Sequence, residues 1–186
     1  MKASDLNLQE QLVFDPEHGR VTFGGNRRVL VATEMMGTLV DALIEVGDIV
    51  MAKVLLRRCG DAAGHRLAQV FRDKFHPENQ HEWFTLGPTM HAWEGVGKPS
   101  LAVFEYDPER AHFLLEVHFE DSYLAEQYVV TQGPATEPVC WLLAGYIGGY
   151  CAEVFGLDLV CYETSCKAQG EPYCTFVVKP REAWLT

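Results

Sequence analysis

Five of the six cysteines in this chain fall between Cys140 and Cys174, with Glu163 three residues before Cys166. Zinc takes four thiolate, imidazole or carboxylate donors in a tetrahedron, so this crowding points to a structural metal site. The plain alternative is a set of ordinary buried thiols, since free cysteine packs as a small hydrophobe. Glu163, Cys166 and Cys174 sit near the join of an expected strand and the hairpin after it, close enough to share one ion. The fourth donor must come from upstream. Cys140 and Cys151 lie eleven residues apart on what reads as one helix, on a shared face but about 16 Å from each other. They compete for one place, and the spacing does not choose between them.

The elements that must position these donors can be read from periodicity. Gln11–Asp15 and Arg20–Phe23 read as strands around the Pro16–Gly19 turn, and Gly24-Gly25-Asn26 turns the chain into a third strand, Arg28–Val31. Thr33 suits a helix N-cap, with Met36, Leu39, Val40, Leu43 and Ile44 at helical spacing behind it. Gly47 ends that helix, Asp48 starts another, and Gly60 is expected to interrupt it before an amphipathic helix over Ala62–Phe75. A short helix after Pro88 carries Met90 to Trp93. Leu101–Tyr106 and His112–Phe119 pair across an Asp107 turn, Ser122–Val130 is helical, and a new helix starts near Pro138. Its Ala144, Gly145, Gly148, Gly149 and Ala152 form a smooth strip against which another backbone can pack closely. Leu157–Glu163 and Tyr173–Val178 close the fold as strands. The expectation is one α+β domain over residues 1–186, an antiparallel sheet with packed helices.

At 186 residues, 48% hydrophobic and 22% charged, the chain is long enough to bury a core without disulfides. A net charge of −11 argues against direct nucleic-acid binding, which needs surplus Lys and Arg. No apolar run is long enough for a membrane span, and the N-terminus lacks a signal-peptide core. A cytoplasmic location with reduced cysteines follows as an expectation, and it favours metal over disulfide. There is no nucleophile elbow, His-Glu-x-x-His or phosphate loop, so no catalytic constellation assembles. Among seven histidines, His91 stands apart by lying among Met90, Ala92 and Trp93. A histidine on an apolar face is more often a hydrogen-bonded core residue than a ligand contact.

Pro138-Val139-Cys140-Trp141, Gly145-Tyr146, Gly149-Tyr150, Glu163-Thr164-Ser165-Cys166 and the closing Cys174 resemble one family. It is the effector-sensing domain of the aromatic-responsive, sigma-54-dependent transcription activators, regulators of phenol, toluene and xylene catabolism, a module of vinyl-4-reductase-like type. The resemblance runs from about Leu12 to Trp184. It implies zinc (Zn2+) on Cys140, Glu163, Cys166 and Cys174, and a non-enzymatic sensor that represses an adjoining AAA+ ATPase domain of the same or a parent polypeptide. It also implies a homodimer, for which the N-terminal strands and helices (about 10–75) and the glycine strip offer surface. The part from about 80 to 180 would carry zinc and pocket.

In the phenol-responsive members a His at the position of His91 and a Trp on the later strand bond the ligand hydroxyl. The Trp position is Phe119 here, which keeps the apolar wall and removes the indole N–H. Less polar rings such as toluene or benzene are therefore admitted beside phenol. Phe84, Trp93, Val117, Tyr150 and Cys161 are the other expected wall residues. Strand alternation places Val117 with Phe119, and Cys161 with Glu163, which would tie the metal to a pocket-facing strand. The competing readings are a free-standing relative that binds a tetrapyrrole or another hydrophobic molecule as a reductase accessory, and an enzyme using zinc-activated water.

Overall fold

The computed structural model describes residues 2–110 and 112–185. The chain opens with a short helix α1 (Leu8–Gln11) and a meander of β1 (Leu12–Asp15), β2 (Arg20–Phe23) and β3 (Asn26–Arg28). Gly24 and Gly25, both at positive φ (55° and 76°), make the two-residue turn that pairs Phe23 with Asn26. That register exhausts the short β2 quickly, so β3 ends at Arg28 instead of Val31, and Val29–Val31 run on exposed.

Two helices follow, α2 (Thr33–Val46) and α3 (Ile49–Val70). Ala32, not Thr33, stands at the first N-cap, whereas Asp48 caps α3 by accepting the Met51 N–H at 2.7 Å. Gly60 does not interrupt α3, which runs unbroken to a single π turn over Phe71–Phe75. The expectation took glycine as punctuation, but here it is a packing device. A Cβ at Gly60 would lie 1.9 Å from the Leu142 carbonyl oxygen, and one at Gly64 2.1 Å from that of Tyr146. Both carbonyls belong to α6 (Trp141–Phe155), whose Gly145 and Gly149 return the contact against Arg57 and Asp61 of α3. The glycine strip is thus consumed inside the chain and is not a surface for a second copy.

Residues 80–94 form one helix, α4 (Gln80–Glu94), not a short one after Pro88. Pro88 lacks the N–H that would reach the Phe84 carbonyl. The helix continues across this break because the neighbouring Trp83 carbonyl accepts the Tyr150 hydroxyl of α6. After α4 come β4 (Lys98–Asp107), β5 (His112–Glu120), α5 (Tyr123–Gln132), then α6, β6 (Leu159–Ser165) and β7 (Cys174–Pro180). The second sheet is antiparallel throughout in the order β4-β5-β7-β6, with α6 between its inner face and α3. The α+β expectation with antiparallel sheet and packed helices describes this architecture.

Candidate metal centre and apolar cavity

Four elements deliver one donor each to a point at the start of α6. Cys140 is the α6 N-cap, Glu163 ends β6, Cys166 begins the β6–β7 connection and Cys174 opens β7. In a regular strand Glu163 and Cys166, an odd number of residues apart, would face opposite sides. A bulge with Thr164 as the extra residue corrects this and turns both inward.

The donor atoms all lie within 4.8 Å of one another. Cys140 Sγ is 3.9 Å from Cys166 Sγ and 3.7 Å from Cys174 Sγ, and the last two are 3.6 Å apart. Sulfurs held about 2.3 Å from a tetrahedral ion would be separated by about 3.8 Å, so the three thiols fit that cradle. All are free, far from the bonding distance of a disulfide. Glu163 Oε2 accepts the Cys140 N–H at 2.7 Å, while its buried Oε1 has no hydrogen-bond partner. That leaves one oxygen fixed and the other free to complete the donor set. The Lys167 N–H donates to Cys174 Sγ at 3.4 Å, and the buried Ser122 hydroxyl lies 3.4 Å from Cys140 Sγ, an outer shell of the kind that orients thiolates.

The electrostatics of the bare cluster point the same way. Cys166 is held low by hydrogen bonds from the Cys140 and Cys174 thiols, while burial pushes Cys140 well up. Glu163 is pushed up to about 8, by burial first and then by the Cys166 thiolate. Four packed acids keep most of their protons alone, and a dication is what lets them all ionise. The set is donor-complete and buried, with no position for a substrate or water.

Next to this cluster lies a cavity of about 30 Å³. Its walls obey the periodicities of the sequence: Phe84, Gly87, Pro88 and His91 from one face of α4, Ile147, Tyr150 and Cys151 from α6, and Leu115, Val117 and Phe119 alternating on β5, with Pro99 from β4. A cavity that binds benzene is about 150 Å³, so a ring fits here only by moving walls. Gly87 leaves room for the Tyr150 ring, which an added Cβ would meet at 2.6 Å.

His91 is the polar exception in this wall. It is 5% exposed, its Nδ1 has no partner, and its ring lies 5.8 Å from Phe119 and 4.8 Å from Tyr146. Burial holds its pKa down at about 4, so the imidazole is neutral at ordinary pH. An unfolded histidine takes its proton near pH 6.5, so stability present above that value drains away as pH falls toward 4. The expected loss from this group is about 3 kcal/mol by pH 4. In urea melts at several pH values, His91→Phe should flatten the acid limb by that amount; an unchanged limb would show a solvated imidazole.

Five of the expected wall residues, His91, Phe84, Val117, Phe119 and Tyr150, meet in this cavity, and two do not. Trp93 is 41% exposed on the opposite side of α4, lining an outer groove with Val29–Val31. Cys161 is buried behind α6 against Gly148, toward Arg57 and Asp61. The mechanical tie between metal cluster and cavity therefore runs elsewhere than Cys161. Cys174 pairs with Phe119 across β7 and β5, and Cys140 heads the helix that carries Ile147, Tyr150 and Cys151. Cys151, weighed as a fourth donor, is a wall residue. Leu115 and Ile147 were discoverable by extending the alternation and the helical face, and Gly87 and Pro88 by stepping back from His91. Pro99 follows only from pairing with Phe119.

Residues 7–107 match the family model described as activator of aromatic catabolism, and residues 115–180 match the model of the vinyl-4-reductase domain. The phenol regulator MopR of Acinetobacter guillouiae is 32% identical over 179 residues, 96% of this chain and 32% of that protein. The transcriptional regulatory protein XylR of Pseudomonas putida is 26% identical over 185 residues, 99% of this chain and 33% of that protein. The chain thus spans about a third of the length of these relatives. A crystal structure of the phenol-responsive sensory domain of the transcription activator PoxR with phenol superposes with a TM-score of 0.88 at 28% identity, over 96% of this chain and 89% of that one.

Proposed function

The chain belongs to the activators of aromatic catabolism, and on that footing we propose that it is their effector sensor: a non-enzymatic module that binds a small monoaromatic molecule in the cavity beside α6. The observation that carries this reading is a buried apolar cavity with one unpartnered polar atom, His91 Nδ1, in its wall. Apolar pockets with a few placed polar groups suit such ligands. The neutral imidazole can exchange a hydrogen bond with a phenol hydroxyl, while Phe119 gives only carbon, so toluene and benzene stand close to phenol. The tight walls support a sensor role, because a ring that must displace them stabilises one arrangement over another.

Zinc is the ion the three thiols and Glu163 suit, and its part is structural: with four protein donors it holds α6, β6 and β7 together. The unit it would control is the AAA+ ATPase part of a sigma-54-dependent activator, on the same or a parent polypeptide in the cytoplasm. The N-terminal strands and helices (about 10–75) supply the surface for a homodimer, in keeping with exposed Val29, Leu30, Met35, Val46 and Val50 on β3's extension, α2 and α3. Residues of about 80 to 180 form the metal and effector part of this single module. Among the described residues no helix is long and apolar enough to cross a membrane. A tetrapyrrole does not suit a cavity of this size.

Phe119→Trp tests the reading by calorimetry with phenol and toluene. The indole N–H adds one hydrogen bond for the hydroxyl alone, raising phenol affinity relative to toluene by up to about tenfold. An equal effect on both ligands would place Phe119 away from the effector and remove the basis of the reading.

A further inference from the structure

We infer that the cavity accepts aromatic molecules only in their uncharged form, so that phenolates and benzoates are rejected even where their shape fits. This rests on the sensor reading above and adds the ionisation state of the effector to it. No Lys, Arg, Asp or Glu lines the cavity. Its one basic group, His91, stays neutral for want of solvent and so offers no counter-charge. The protonatable groups around that ring on α6, Tyr146, Tyr150 and Cys151, are all held protonated by burial. Phe119 covers it from β5.

Fixed charges nearby make matters worse for an anion. On α4, Glu94 follows His91 by a turn, and Arg28 of β3, 3.9 Å from it, is committed to that pair. Arg57 is turned away, donating to the Cys161 carbonyl and lying over the Tyr162 ring. Cys174 sits across from Phe119, so the metal centre borders the wall. Three thiolates and a carboxylate outweigh a divalent ion and leave that centre net negative. Helix dipoles do not compensate: α4 and α6 line the cavity with their middles, their N-caps Asn79 and Cys140 lying further upstream. An anion here would lose its hydration with nothing in return.

Pentafluorophenol separates the possibilities, because it is close to phenol in size and is ionised at neutral pH. Titration calorimetry of the chain with phenol, toluene and pentafluorophenol should give flat affinities for the first two between about pH 6 and pH 8. Pentafluorophenol should weaken by about tenfold per pH unit over the same range, following its own ionised fraction. Affinity for pentafluorophenol that is flat or rises with pH would overturn the inference and leave the sensor reading standing. A matching slope for toluene would assign the pH dependence to the protein and overturn it as well. Failure of both phenol and toluene to bind at any pH would overturn the sensor reading, and this inference with it.

Discussion

Stripping the metal from this chain with a chelator at neutral pH is expected to lower its melting temperature by at least about 10 °C and to abolish binding of phenol and toluene together. Structural zinc contributes folding free energy directly, and the apparent values in small zinc modules reach about 10–16 kcal/mol. Even about 5 kcal/mol corresponds to about 10–20 °C for a chain of this length. Both properties should fall together because Cys140 heads the helix carrying Ile147, Tyr150 and Cys151, while Cys174 pairs with Phe119. Once the ion is gone, four buried acids face each other, and the sign of the pH response should change. The Glu163 carboxyl keeps its proton in the folded chain up to about pH 8, against 4.5 when unfolded. The metal-free fold is therefore most stable below pH 4.5 with respect to this group and loses stability as pH rises through 8. The metal-bound chain should not show that loss. Elemental analysis fixes the stoichiometry, expected to be one ion per chain. A chelated chain that melts and binds as before would overturn the role given to Cys140, Glu163, Cys166 and Cys174.

How much of this could be read from the sequence depends on whether the signal was local. The donors Glu163, Cys166 and Cys174 announce themselves by crowding, but Cys140 and Cys151 are equivalent by helical geometry. Only the tertiary position of α6 separates them, placing one at the cluster and the other in the cavity wall. The α4 and β5 walls follow periods of 3.6 and 2, so Phe84 and His91, or Val117 and Phe119, were legible as shared faces. Trp93 and Cys161 were not, because sequence neighbourhood says nothing about which side of a helix or strand meets the ligand. Gly60 and Pro88 misled for a common reason: each breaks an isolated helix, and each is compensated by a partner far away in sequence. For Gly60 that partner is the α6 backbone, and for Pro88 it is the Tyr150 hydroxyl on the adjoining carbonyl. Propensity is a weak prior that tertiary contact overrides.

The α3–α6 contact yields the second large effect, and it needs no metal. A Cβ at Gly149 would stand 2.2 Å from the Asp61 carbonyl oxygen and 2.9 Å from its Cα. Both are backbone atoms, so no rotamer change relieves the clash, and the helices themselves must move apart. Gly149→Ala should therefore cost about 3 kcal/mol or more, near the upper end for a single overpacking substitution, and lower the melting temperature by about 6–12 °C. The neighbouring Gly148→Ala is the matched control. Its added Cβ meets the Cys161 backbone nitrogen at 3.2 Å, which a shift of a few tenths of an ångström relieves, so its cost should stay under about 1 kcal/mol. The two variants also separate the cavity from the metal centre. Gly149 adjoins the wall residues Tyr150 and Cys151, whereas Cys140 lies nine residues earlier, about 13 Å along the helix. Gly149→Ala should therefore weaken toluene binding while metal content stays at one ion per chain. If the alanine is tolerated with an unchanged melting curve, the two helices are not in backbone contact. The inner wall of the cavity would then need a different support.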